Sequence, residues 1–401
     1  MRKRVIAIFG GGPAGLFAAE HLSELGYSVS VYEQMPTVGR KFLLAGKSGL
    51  NITHSEDFAQ FVQRYGASNE RLRSALEKFT PQNLRDWADA LGAETFVGSS
   101  GRVFPKAMKA SPLLRAWIKR LEEQGVKILT RHKWTGFENG KPVIETSTGT
   151  EAISCDAALF AFGGASWPKL GSNGAWVEPF TKQGILSAPM RPANCGFDVN
   201  WSDFFAERFE GEPVKSVTIT SEAAVTQGEF VITRGGVEGS LVYAHSSALR
   251  DALQCDGHAG LILDLAPGRT LERLTHDLSR QDKKLSISNL LRKGAGLTGV
   301  KAALVLEFQR DKAPGKLAQS IKALAIPLVR TRPIEEAISS AGGIEWSEID
   351  EHYMLTKLPG TFVAGEMIDW EAPTGGYLLT ACFATGLAAA NGIDNWLTKG
   401  S

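Results

Sequence analysis

The chain has 401 residues, with 44 Lys and Arg against 43 Asp and Glu, and 43% of its residues are apolar. That length is too great for one small core, so two or three domains are expected, and the near-neutral charge excludes any overall attraction to nucleic acid. Four scattered cysteines, Cys155, Cys195, Cys255 and Cys382, form no C-x-x-C pair; they suit free thiols in a reducing, cytoplasmic setting and offer neither a metal site nor a redox dithiol.

The basic start Met1-Arg2-Lys3-Arg4 leads into the apolar run Val5 to Phe9, which glycine ends too early for a signal-peptide core. The run reads as a buried strand. It feeds directly into Gly10-Gly11-Gly12-Pro13-Ala14-Gly15, spaced G-x-G-x-x-G, and then into a helix predicted over Ala14 to Leu25 that Gly26 ends. Gly10 allows a tight turn, Gly12 lets a pyrophosphate approach the backbone, and Gly15 lets helix and strand pack closely. The helix N-terminus supplies free N–H groups and a partial positive charge. Ser28 to Glu33 alternates as a second strand, and Glu33 falls about 20 residues beyond the glycines, where a carboxylate accepts hydrogen bonds from an adenosine ribose. The N-terminus therefore reads as a dinucleotide site.

The segment Gly39 to His54 is rich in glycine and cationic side chains. It either wraps a diphosphate or forms a surface loop, and its place after the second strand favours the first. Helices are predicted behind Thr80-Pro81, carrying Leu84, Trp87, Ala88 and Leu91, and behind Ser111-Pro112, carrying Leu114, Trp117, Ile118 and Leu121; their aromatic residues are read as core. From Val126 the period becomes strand-like: Val126 to Leu129, Trp134 to Phe137, Val143 to Thr146 and Ala152 to Ser154 read as a meander punctuated by Asn139-Gly140 and Thr148-Gly149. Ala157 to Phe162 reads as another buried strand running into Gly163-Gly164.

A boundary is placed near Pro189 to Pro192. Residues 191 to 264 read mostly as strands (Val214 to Thr220, Glu229 to Thr233, Gly260 to Leu265), with a helix around Ser240 to Leu253. Residues 265 to 324 read as helical and carry twelve Lys or Arg against five Asp or Glu. That excess reads first as solvated helix faces, and second as a surface for an acidic partner such as RNA. Small, glycine-rich sequence then returns in Ala341-Gly342-Gly343-Ile344, in the strand Phe362 to Ala364 ending at Gly365-Glu366, and in Thr374-Gly375-Gly376-Tyr377. The uncharged stretch Thr374 to Ile393 carries Gly375, Gly376, Thr380, Thr385, Gly386 and Asn391, and reads as a closely packed internal helix with no membrane span.

Carried by Gly10 to Gly15, Gly101 to Pro105, Gly163 to Ser166 with Gly171-Ser172, and above all Ala341 to Ile344, Gly365-Glu366 and Thr374 to Tyr377, the chain resembles the BaiN-like (YhiN-like) flavoproteins over nearly its whole length. The resemblance implies FAD and an α/β fold, in which a Rossmann-like FAD-binding domain (parallel sheet plus β-meander; residues 1–190 and 340–401) is interrupted by a β-barrel-like domain (191–264 and 325–339) that carries a small helical domain (265–324). It also implies relatives linked to bile-acid reduction, aminoacetone oxidation and dihydrouridine formation in ribosomal RNA, a spread too wide to transfer one activity. Where those relatives show Ser-Gly-Gly-Gly-Arg-Cys-Asn, this chain has Ala45 to Asn51 with no Arg-Cys pair. Where they show Thr-His-x-Gly-x-Ser-Gly-Pro, it has Thr233 to Ser240. A divergent branch with its own substrate is expected.

The candidate cofactor residues are Gly10, Gly12, Pro13, Ala14, Gly15, Glu33 and Gln34 at the N-terminus, with Arg40, Lys41 and Asn51 in the following segment. Gly163, Gly164, Gly365, Glu366, Asp369, Gly375, Gly376, Tyr377 and Leu378 complete the set. The expected activity is an FAD-dependent oxidoreductase exchanging hydride between flavin and a small organic substrate or NAD(P)H. No second dinucleotide-binding unit is read, so NAD(P)H would visit the flavin transiently. Catalytic side chains are not identified; Tyr377, Glu366 and Lys47, with His54 and Arg234, are weak candidates. Two other classes stay open: an RNA-binding or RNA-modifying flavoprotein using the basic helices, and a redox sensor without turnover.

Overall fold

The computed structural model describes residues 2–46, 49–221, 224–282 and 284–399. The chain divides into two compact units, Met1–Arg191 with Ile338–Ser401, and Pro192–Ala337.

The first unit is built on a five-stranded parallel sheet in the order Thr361–Val363, Ala157–Phe160, β1 (Val5–Phe9), β2 (Ser28–Glu33), Lys127–Thr130. Ile6 lies between Ala157 and Val29, and Ile8 between Leu159 and Val31. Such near-continuous apolar runs are what a parallel sheet covered on both faces requires. Helix α1 (Pro13–Glu24) follows β1, and the C-terminal helix Tyr377–Lys399 packs against it. A Cβ on Gly386 would come within 2.5 Å of Ala14 O, so glycine is what lets the two helices approach. Around them Phe17, Phe79, Trp87, Trp117 and Phe383 form one aromatic cluster, with centroids as close as 4.7 Å for Trp87 and Trp117. Glu20 is buried within this cluster and accepts hydrogen bonds from Trp87 Nε1 (3.1 Å), Trp117 Nε1 (2.6 Å) and Arg120 Nη1 (2.9 Å), which meets its charge.

Several expected elements shift. The run read as Val126 to Leu129 forms the strand Lys127–Thr130, which leaves the meander and joins the edge of the parallel sheet beside β2. The meander keeps three antiparallel strands, Lys133–Glu138, Lys141–Thr146 and Gly149–Ala152, so its last strand precedes the expected Ala152 to Ser154. Asn139 (φ +50°) and Gly140 (φ +74°) make the first turn, as Asn-Gly predicts. Thr80 and Asn83 form a capping box on Pro81–Ala90. The next helix begins at Ala110, with Lys109 at its N-cap, so Ser111-Pro112 sits inside the first turn. Pro189 to Pro192 lies within the extended strand Ser187–Ala193.

In the second unit a seven-stranded sheet runs in the order Leu324–Leu328, Ala259–Asp264, Pro213–Thr220, Val225–Thr233, Gly236–Glu238, Phe197–Asp198, Arg330–Thr331. Its two edge strands are consecutive in sequence, separated only by Val329, whose N–H donates to Asp198 O at 2.9 Å. The sheet therefore curls until one continuous stretch of chain supplies both edges, giving a nearly closed barrel with few unpaired edge groups. The helices Leu271–Ser279, Gly299–Phe308 and Pro314–Lys322 bury Leu274, Leu278, Leu304, Leu317 and Ile321 in the same apolar core as the strands. The helix expected around Ser240 to Leu253 is broken into Ser240–Tyr243 and Ser246–Asp256, with His245 buried at the break.

Five of the twelve basic residues of this helical stretch are put to local use. Arg269 donates to Ala295 O and Asp277, Arg273 to Asp277, Lys301 to Ser216 O and Leu265 O, and Lys322 to Asp264 and Arg269 O; Lys316 pairs with Asp311. Charge engaged on neighbouring carbonyls and carboxylates gives no support to an RNA surface. The spacing G-x-G-x-x-G also occurs at Gly294-Ala295-Gly296-Leu297-Thr298-Gly299. There it follows the short helix Ile287–Leu290 through a π-helical turn, Leu291–Ala295, and not a strand, so it lacks the context of a nucleotide fingerprint.

Candidate functional site

The glycine-rich turn after β1 has the shape its spacing predicts. Gly10 has φ +110°, and a Cβ there would lie 2.4 Å from Ala161 O; a Cβ on Gly15 would lie 2.1 Å from Gly10 O. Both positions exclude side chains because strand ends and helix meet there. Gly12 differs: it is the N-cap of α1, makes no side-chain cap hydrogen bond, and a Cβ on it would meet nothing within 4 Å. No side chain caps the first-turn amides of α1, and the space beside Gly12 is open, which suits an anion-binding helix start. Glu33 borders this turn, its Oε2 accepting from Gly11 N–H and its Oε1 from Met35 N–H, each at 2.8 Å. Burial pushes its carboxyl up from the ordinary value, opposed by those amide bonds and by Arg40. Two polar atoms, Arg40 Nε and Ser172 Oγ, are buried without a hydrogen-bond partner among the described residues. An open cradle, uncapped amides, a carboxylate and orphaned polar atoms fit a dinucleotide. Gln34 Nε2 donates to Gly171 O at 2.7 Å, tying the second strand's end to the Gly171-Ser172 loop.

A second cluster lies where the glycine pairs of the later chain return. Lys41 Nζ donates to Glu366 Oε2 and to Ser166 Oγ, both at 2.7 Å. Glu366 Oε1 accepts from Ser340 N–H at 2.8 Å, and Ser340 Oγ accepts from Ala165 N–H at 2.8 Å. A Cβ on Gly164 would lie 2.0 Å from Ser340 Oγ, so that glycine is needed for this approach. Gly163 (φ +72°) accepts Trp176 Nε1–H on its carbonyl at 3.0 Å. Gly365 (φ +79°) donates to Thr385 Oγ1 at 3.0 Å and sits against Ala14, which joins this cluster to the start of α1.

The third part is the turn before the C-terminal helix. Gly375 (φ +131°) and Gly376 (φ +94°) lead into Tyr377, the first helical residue, and Leu378 packs partly buried against the core. Tyr377 Oη donates to Glu56 Oε1 at 2.6 Å. Asn51 serves the backbone, donating to Thr53 O (2.7 Å) and Val103 O (3.1 Å). Asp369 accepts on its carbonyl from Trp346 Nε1 and Ser68 Oγ, and burial pushes its carboxyl up. His54 uses both ring nitrogens, Nε2 at 3.0 Å from Ser100 O and Nδ1 accepting from Glu56 N–H at 3.1 Å, which selects the Nε2–H tautomer.

Gly10, Gly12, Pro13, Ala14, Gly15 and Glu33 are thus brought together, as are Lys41, Gly163, Gly164, Gly365 and Glu366. Of the catalytic candidates, Tyr377 and Glu366 are both engaged by neighbours, Arg234 is exposed near Glu210 in the second unit, and Lys47 lies outside the described residues. Glu56, Arg64, Ser166 and Ser340 were not singled out for chemistry. Ser340 abuts the Ala341-Gly342-Gly343 run, which was a usable signal; Glu56 and Arg64, eight positions apart with no shared helix face, had none. Among the described residues no group of three metal-ligating side chains occurs, and no helix is long and apolar enough to cross a membrane.

A family profile described as HI0933-like protein Rossmann domain matches residues 4–392. The 3-dehydro-bile acid Δ(4,6)-reductase of Clostridium scindens is 23% identical over 401 residues, covering 96% of this chain and 97% of the relative. The ribosomal RNA dihydrouridine synthase of Haemophilus influenzae is 22% identical over 402 residues, covering 96% and 98%. Among solved structures, 3-ketosteroid Δ1-dehydrogenase from Sterolibacterium denitrificans, in complex with 1,4-androstadiene-3,17-dione, aligns with a TM-score of 0.52 at 13% identity, covering 98% of this chain and 99% of that one. The 3-ketosteroid-Δ4-(5α)-dehydrogenase from Rhodococcus jostii RHA1 aligns with a TM-score of 0.51, also at 13% identity, covering 98% and 97%. At that identity these two likenesses concern the fold.

Proposed function

The chain belongs to the HI0933-like Rossmann-domain family, and we propose that it is an FAD-dependent oxidoreductase whose flavin exchanges hydride with a small organic substrate, with NAD(P)H as a transient electron donor. The observation that carries this reading is the convergence on the start of α1 of Glu33, the open Gly12 position and the Lys41–Glu366–Ser340 cluster. The bioreductive name of the bile-acid relative, similar end to end, supports the reaction class.

Bound FAD supplies the two-electron chemistry, and this chain binds, orients and screens it. Glu33 has acceptor capacity beyond its two amide bonds and takes ribose hydroxyls. The uncapped amides behind Gly12 take the pyrophosphate. Lys41 and Glu366 neutralise each other and hold Ser166 and Ser340 in place, so the Gly163–Gly164 and Gly365 backbones stay fixed around the cofactor. Tyr377 keeps its proton directed at Glu56, so it acts here as a positioning group and not as an acid toward substrate. A small-molecule substrate is preferred to RNA because the bile-acid relative is similar end to end, and because Arg269, Lys301 and Lys322 of the second unit are held by local acceptors.

The test is to purify the protein, record its visible spectrum, identify the released cofactor, and follow anaerobic bleaching by NADH and NADPH separately. A yellow protein that releases FAD, bleaches with one nicotinamide and is reoxidised by an enone substrate is expected. A colourless protein that FAD does not reconstitute, and that binds NAD tightly instead, would remove the reading.

A further inference from the structure

The segment running from Thr53 to Tyr65 encloses the start of the C-terminal helix. Gly376 lies so close that a Cβ on it would be 2.4 Å from Thr53 Cα, and Thr53 Oγ1 is 2.9 Å from Thr380 Oγ1. Tyr65 Oη donates to Tyr377 O at 2.9 Å. The Tyr377 ring stacks on His54 (5.5 Å between centroids, 21° between planes) and leans on Phe61 at 4.8 Å. Its hydroxyl donates to Glu56 Oε1 at 2.6 Å, and Arg64 closes the arrangement by donating Nε to Oε1 (3.0 Å) and Nη2 to Oε2 (2.5 Å) of the same carboxylate.

Packing alone does not ask for this chemistry. A ring that is 5% exposed between His54 and Phe61 could be phenylalanine, and the Arg64 side chain that pairs with the largely buried Glu56 is itself half in solvent. What the carboxylate and the forked guanidinium add is direction, since a two-point Arg–carboxylate pair has a defined plane and the phenol must point into it. The residues so directed follow Gly375 and Gly376, the most deformable kind of backbone, and precede helix amides that have no intrahelical acceptor. Burial, and then the bond to Glu56, push the Tyr377 phenol up. At Glu56 burial favours the neutral acid, but the Arg64 and Tyr377 bonds outweigh it and hold the carboxyl down, so the proton stays on the phenol.

We propose that Glu56 and Arg64 are positioning residues for the flavin: their ion pair fixes the Tyr377 phenol, and through it the Gly375–Gly376 turn and the first helix amides that meet the cofactor. This rests on the FAD reading above. The clamp accounts for a forked charged pair set against a buried phenol, and it assigns the segment Thr53 to Tyr65 a role outside the nucleotide fingerprint.

The experiment compares wild type, Glu56→Gln, Tyr377→Phe and the double variant as full-length protein. Three readouts are taken: hydrogen exchange of the peptide spanning residues 374–380 without FAD, the FAD dissociation constant, and the midpoint potential with the visible spectrum of bound flavin. Each single variant should speed exchange and weaken FAD by about tenfold, the size of one lost charge-assisted hydrogen bond, with a shifted potential. The double variant should add nothing further, because both act through one bond. Unchanged exchange and potential in the single variants, or fully additive effects in the double, would overturn the clamp. Wild type that takes up no FAD would overturn the cofactor reading and the flavin role with it, while faster exchange in the variants would still identify the clamp as a brace. Tyr377→Phe keeps the ring packing, so it remains informative if Glu56→Gln folds poorly.

Discussion

Lys41 Nζ lies 2.7 Å from Glu366 Oε2 although 325 residues separate them, and the Glu366 side chain is 5% exposed against 25% for Lys41. The pair joins the segment after β2 to the strand end at Gly365, and through Ser166 and Ser340 it gathers two more segments of the same unit. A charge this far from water needs its counterion, which sets the first expectation.

Lys41→Met should destabilise the first unit by about 2–3 kcal/mol, below the range for fully buried pairs because Lys41 keeps some solvent. Denaturant titration would measure it, with FAD retention falling in parallel. A variant as stable as wild type would mean that Glu366 is satisfied without Lys41.

Gly12→Ala separates cofactor binding from folding. Gly12 has φ −85°, which alanine adopts freely, and its Cβ would meet no protein atom within 4 Å. The cofactor-free variant should therefore melt within a degree or so of wild type, while FAD binds more weakly by about tenfold or more through loss of backbone approach to the pyrophosphate. Full FAD affinity in this variant would place the phosphates elsewhere.

Glu33→Ala should weaken FAD by about 1.5–3 kcal/mol through lost bonds to a charged acceptor. It also leaves Gly11 N–H and Met35 N–H without their acceptor, so the cofactor-free protein should lose some stability as well. Fluorescence titration of the cofactor-free protein with FAD gives the number, and an unaltered affinity removes Glu33 from the site.

Gly376→Val reports on the turn before the C-terminal helix. A Cβ at this position would lie 2.4 Å from Thr53 Cα, and φ is +94°. The variant should distort the turn before any cofactor arrives. Circular dichroism and thermal melting of the cofactor-free form should already show the damage; an undisturbed melt would mean that the turn is looser than its contacts imply.

His245 predicts a pH response of the second unit. It is fully buried, its Nδ1 is 2.7 Å from Ser221 Oγ, and its Nε2 has no hydrogen-bond partner among the described residues. Burial pushes its pKa below the ordinary histidine value, so the unfolded chain binds the proton more readily than the folded one. Stability contributed by neutral His245 is present above the unfolded value of about 6.5 and is lost as pH falls from there toward the folded value. Urea midpoints between pH 8 and pH 5 should fall more steeply for wild type than for His245→Gln. Parallel profiles would assign the pH response to other groups.

Much of the nucleotide end was legible in the chain itself, because it is written in local backbone demands. Gly10 and Gly15 sit where strand and helix touch, Gly12 beside open space at the helix start, and Glu33 at the end of the adjacent strand; all four follow from one strand–turn–helix–strand unit of consecutive residues. Turn residues such as Asn139-Gly140 and the Thr80 cap were equally local. The tertiary structure alone decided which strands pair: a short strand like Lys127–Thr130 fits a meander or a parallel edge equally well by pattern, and only packing beside β2 chooses. It also decided that one stretch around Val329 closes the second sheet from both edges, that Glu56 and Arg64 meet Tyr377, and that Gly376 is glycine because of Thr53. These are contacts between residues far apart in sequence, whose side chains carry no periodic mark of their partners; their geometry exists only once the loops between them have been closed.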